Sequence, residues 1–91
     1  MLDMKKNILL NSDIVLRNVG DKYWALNTKD GNQFKLNEVS FFILNVFRER
    51  KSISAMLELV MKEYKIDIET LSADCDTILQ YAIEKEILKE V

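Results

Sequence analysis

The sequence predicts an α+β domain in which a three-stranded antiparallel sheet is followed by three helices. Three observations predict it. Both glycines of the chain stand where β-hairpins need them. The apolar period changes from two to 3.6 at Asn37, and three apolar stripes at helical spacing follow that change.

The first strand is read in Ile14-Val15-Leu16-Arg17-Asn18-Val19, rich in β-branched residues and stopped by Gly20-Asp21. Tyr23-Trp24-Ala25-Leu26-Asn27 is the second strand. It runs into Lys29-Asp30-Gly31-Asn32, a turn signal because Gly31 takes positive φ without steric cost. Gln33-Phe34-Lys35-Leu36 alternates polar and apolar residues as a half-buried third strand does. The three form a meander.

Asn37 is suited to cap a helix, its side chain accepting from the first free backbone amides. Val39, Phe42, Ile43, Val46 and Phe47 then fall on one helical face, before the charged stretch Arg48 to Lys51. A second helix starts at Ser52 or Ser54 and turns Ile53, Met56, Leu57, Val60, Met61 and Tyr64 inward. The third begins between Asp67 and Thr70, with Leu71, Cys75, Ile78, Leu79, Ala82 and Ile83 on its apolar stripe and Ile87-Leu88 closing the chain. Sheet and helices in this order make a winged-helix-like fold. Residues 1–91 are expected to form a single domain, in which 1–12 is a flexible or edge segment.

Composition narrows the function. The chain is 48% hydrophobic and 31% charged, well inside the globular range. A net charge of −2 provides no general attraction to nucleic acid or anionic membrane. No apolar run approaches the length of a membrane span, and Ile8-Leu9-Leu10 is too short for the core of an export signal. A cytoplasmic protein is expected. The single cysteine cannot form an intramolecular disulfide.

Catalytic chemistry finds no foothold. The chain has no histidine, so a triad lacks its base and zinc lacks its usual ligands. Isolated glycines make no phosphate cradle. The acidic residues stand in solvated contexts, where such side chains are ordinarily plain surface. Cys75 could be read as a reactive thiol, but it lies on the apolar stripe between Leu71 and Leu79 without basic company, which favours a core residue. No enzyme activity, metal or cofactor is expected.

Helix-turn-helix DNA binding is a rival that the order of helices invites. From residue 67 onward, however, seven acids (Asp67, Glu69, Asp74, Asp76, Glu84, Glu86, Glu90) face two bases (Lys85, Lys89). A recognition helix of that charge would be repelled by phosphates.

The third strand, Gln33 to Leu36, has one unpaired side if the sheet is a simple meander. Lys35 is the usual kind of guard for an exposed edge. The alternative is β-augmentation, in which an extended peptide adds a further strand. Asn32 and Gln33 to Leu36 would then bond the peptide, with Phe34 and Leu36 toward the core and Gln33 and Lys35 outward. Asp74, Ile78, Tyr81 and Lys85 lie beside the core stripe at i, i+4, i+7 and i+11 and form a candidate opposite wall. The bland alternative has Ile78 wholly in the core and Tyr81 an ordinary surface aromatic. A second copy of the chain could also pair with this edge and form a homodimer.

The pattern from Asp13 to Leu88 resembles the PqqD-like family. The likeness rests on Asp13-Ile14-Val15-Leu16-Arg17, the Tyr23 to Leu26 strand, Asp30 through Val39, Ile43-Leu44, Ser52-Ile53, Asp74-Cys75 and Ile78-Leu79. The resemblance implies a non-catalytic recognition element of ribosomal peptide modification. Such an element binds the leader of a precursor peptide between third strand and third helix. It then delivers the peptide to a radical-SAM enzyme, a leader peptidase or a similar partner. Two positions depart from the family pattern: Glu86 stands where a Gly often precedes the final apolar pair, and Cys75 where a branched aliphatic is usual.

Overall fold

Local chemistry sets the turns of the meander. Gly20 and Gly31 both have positive φ, 62° and 79°. In the computed structural model, which describes residues 3–91, β2 (Ile14–Val19) and β3 (Lys22–Asn27) are joined by the two-residue loop Gly20-Asp21. Val19 pairs with Lys22 across it. Gly at the first loop position suits the tight turns whose twist matches the strands. Beyond β3, the Asp30 carboxylate accepts from the Asn32 amide at 2.9 Å, and β4 (Gln33–Leu36) returns along β3. The sheet order is β2-β3-β4, so among the described residues β4 pairs on one side only. These are the three strands expected.

The helices begin on side-chain caps. Asn37 accepts from the Ser40 amide at the start of α1 (Glu38–Val46), Ser52 from Ala55 at α2 (Ile53–Tyr64), and Asp67 from Thr70 at α3 (Ile68–Glu84). Each cap satisfies a backbone donor that the first helical turn leaves free. α3 ends in a Schellman arrangement. Glu86 takes a left-handed φ of 61°, its N–H donates to Ile83 O at 3.1 Å, and Ile87 N–H donates to Ala82 O at 2.8 Å.

A second sheet is an addition to the expected fold. β1 (Asn7–Leu10) lies between β5 (Lys51–Ser52) and β6 (Leu88–Glu90), antiparallel to both. Residues 7–10, read in the sequence as part of a flexible or edge segment, therefore form a central strand. The physical reason is Ile8, which is fully buried and draws this strand into the core. Leu10 N–H also donates to Phe47 O at 2.7 Å, and Val91 N–H to Asn7 O at 3.0 Å. The expectation for residues 1 and 2 lies outside the described residues.

One apolar core joins both sheets and all three helices. Ile8, Leu16, Ala25, Phe47, Met56 and Leu79 represent its layers, each at most 8% exposed. α1 is apolar on most of its surface because it is enclosed by its neighbours. Phe41 meets Tyr23 of β3 at a 5.0 Å centroid separation, and Phe42 meets Tyr64 of α2 at 5.5 Å. No helix among the described residues is long and apolar enough to cross a membrane.

Candidate functional site

Alternation along β4 decides what faces where. Phe34 and Leu36 pack against the core, whereas Gln33 and Lys35 are exposed on the opposite face of the sheet. Gln33 joins Arg17, Val19, Trp24 and Leu26 around a shallow depression of that outer face. Asn32 is exposed in the turn that precedes the strand. The free edge of β4 thus separates two different surfaces.

On the inward side of this edge stands α3. Tyr81 meets Phe34 edge-to-face, with ring centroids 6.4 Å apart and planes at 85°. Such a pair contributes roughly 0.5–1.5 kcal/mol beyond the area it covers. Tyr81 nevertheless remains 48% exposed, and the Lys85 Nζ lies 5.8 Å from its ring centre. One side of the ring is held and the other is available. Tyr81 is therefore more than an isolated surface aromatic.

One and two helical turns back, Ile78 and Asp74 open onto a cavity of about 420 Å³ between α3 and the start of α1. Val39, Ile43, Leu71 and Ile78 supply apolar wall, and Asn37, Ser40, Asp74 and Thr77 supply polar groups. Ile78 is half-buried, packed on the core while lining the cavity, so it is not wholly core.

The proposed wall on α3 is thus divided. Tyr81 and Lys85 stand beside Phe34, and Asp74 and Ile78 line the cavity. Val39, Ser40 and Thr77 are not among the binding-site residues expected from sequence. Val39 reads there simply as part of a core stripe, and no local signal reports that α1 leans toward α3.

Cys75 is fully buried at the back of the cavity. Burial, helped by the neighbouring charge of Asp74, pushes its thiol up to about 11. The thiol is protonated at neutral pH and makes a poor nucleophile.

Residues 14–88 match the family model described as Coenzyme PQQ synthesis protein D (PqqD). The chain belongs to the PqqD family. No curated protein matches it significantly. Among solved structures, it is similar to one described as TbiB1 in complex with the TbiA(beta) leader peptide. The two are 23% identical with a TM-score of 0.77, over 89% of this chain and 94% of that one. At that identity the likeness establishes a shared fold.

Both departures of this chain from the usual PqqD pattern now have a structural meaning. Glu86 occupies the left-handed position that a glycine would fill at no cost, so the helix stops where a glycine would stop it. Cys75 is accommodated as a small apolar core residue, closing the cavity floor without exposing its sulfur.

Proposed function

We propose that this PqqD-family chain captures the leader segment of a ribosomally made precursor peptide as an added strand on β4, and delivers it to a separate modifying enzyme or leader peptidase. One observation carries the reading: β4 is a free sheet edge facing a helix, with a half-available tyrosine at one end of the gap and an apolar-walled cavity at the other. Family membership supports it, as does the bound leader peptide in a solved protein of the same fold.

In this reading the peptide backbone bonds the outer side of Gln33, Phe34, Lys35 and Leu36, with Asn32 at the entrance. Alternate peptide side chains turn inward, toward Tyr81 or into the cavity beside Ile78 and Asp74. The others turn outward beside Gln33 and Lys35. Lys85 offers a cation next to Tyr81. The chain performs no bond chemistry itself. It acts by concentration, because a tethered leader makes the enzyme's encounter with the rest of the precursor nearly intramolecular.

The deciding experiment is calorimetric titration with the synthetic leader of a short peptide encoded beside this chain's gene. Saturable one-to-one binding at micromolar concentration, about −8 kcal/mol, is expected. Absence of binding near millimolar concentration would reject leader capture. Sedimentation at several concentrations would then show whether the edge pairs with a second copy instead.

A further inference from the structure

The outer face of the β2-β3-β4 sheet has a composition that the groove does not explain. Its outward positions carry three cations, Arg17, Lys22 and Lys35, and no acid. Between them lie four apolar side chains, Val15, Val19, Trp24 and Leu26. Val15 is 40% and Val19 65% exposed, and the depression beside Trp24 measures about 330 Å³. Cross-strand pairing brings Arg17 and Lys35 to either side of Trp24, since Trp24 pairs with Arg17 on β2 and with Lys35 on β4. An exposed apolar patch with a polar rim marks an interaction surface, and here the charges on the strands themselves are all cationic.

We infer that this face docks a separate protein through an acidic, apolar-centred surface, and that this protein is the enzyme acting on the captured leader. The inference rests on the leader-capture reading for the partner's identity. Charge selects the occupant. A second copy meeting the same face would set three cations against three, which disfavours symmetric pairing. Single-stranded nucleic acid stacks on successive aromatic rings, and this face has one ring among branched aliphatics. The leader is directed elsewhere, because the groove opens on the other side of β4. A peptide added to β4 would extend the sheet and leave the outer face open, so leader and enzyme are held together on opposite faces of the same strands.

The test is calorimetry of the purified enzyme encoded beside this chain, titrated into the full chain without leader. The parent is compared with Arg17→Glu/Lys22→Glu and with Val19→Asp, all exposed positions outside the groove. Each variant is first checked by thermal melting, and either one alone decides the matter if the other does not fold. The expected result is enzyme affinity weakened roughly tenfold or more, with leader affinity at the parental value and a parental affinity that falls as salt is added. Unchanged enzyme affinity in both variants would overturn the inference, as would a parallel loss of leader binding. Parental binding to an oligo-dT strand that Arg17→Glu abolishes would assign the face to nucleic acid, and a dimer dissolved by Val19→Asp would assign it to self-association. Because the enzyme titration omits the leader, failure of leader capture registers separately in the leader titration.

Discussion

Tyr81 divides its ring between Phe34 and solvent, and this division sets what its removal does. Tyr81→Ala gives up one edge-to-face contact, worth about 1 kcal/mol, and the amphipathic surface beside β4. Leader affinity should fall roughly tenfold in calorimetry while the melting temperature drops by only a few degrees. Unchanged affinity would remove Tyr81 from the groove. Glu86 offers the opposite case, a residue whose conformation opposes stability. Its left-handed φ of 61° costs a non-glycine residue roughly 1–2 kcal/mol, part of which glycine returns as chain entropy. Glu86→Gly should therefore raise the melting temperature by several degrees, as followed by circular dichroism, and leave leader affinity unchanged.

At the scale of single elements, β4 and α3 are each governed by backbone amides. Lys35→Pro deletes the N–H of a central β4 residue, and proline is compatible with only one side of an edge strand. Leader binding should disappear at concentrations that saturate the parent, a larger loss than Tyr81→Ala causes. The start of α3 depends on Asp67. The Thr70 amide and hydroxyl both donate to its carboxylate, holding it below the ordinary aspartate range. The pKa is lowered by folding, so the stabilisation is present above the ordinary value and is lost as pH falls through the folded one. Asp67→Asn can still cap the helix but does not titrate, so its melting temperature should decline less than the parent's on acidification below pH ~4.

These elements were also the ones most open to reading from sequence. The meander, the Asn37 cap and the three stripes are encoded within a few residues, where glycine φ, side-chain capping and apolar spacing act directly. The other two helix starts, Ser52 and Asp67, fall within the short spans the sequence allows. β5 and β6 have two and three residues, too short to show a period, and β1 gains its partners only from distant parts of the chain. The candidate site divides along the same line. The free edge at β4 follows from strand order, and Tyr81 from its place beside the core stripe. The cavity lined by Val39, Ser40 and Thr77 arises from how two helices lean together, which no window of sequence contains.

For the molecule as a whole, the junction of the two sheets is its most sensitive point. Ile8 is fully exclued from solvent and lies at the centre of the second sheet, paired with Lys51 and with Glu90. Ile8→Ala should cost about 2–5 kcal/mol, the usual range for such a truncation in a tight core. That is a large share of the roughly 5–15 kcal/mol that a small domain has. Urea denaturation should show a lower midpoint with unchanged slope. The groove lies in other elements, so the folded fraction should bind leader as the parent does.

The position of β1 between strands drawn from residues 51–52 and 88–90 has a consequence for the order of assembly. Lys6 and Glu90, which form an ion pair beside this sheet, are 84 positions apart. During synthesis the meander and first helix can close on their own local contacts, but β1 waits for β6, whose residues leave the ribosome much later. Long-range pairing of this kind is the slow part of folding. β1 is thus made before the meander yet is among the last elements to be locked in place, and Ile8 lacks part of its shelter until β6 has been translated.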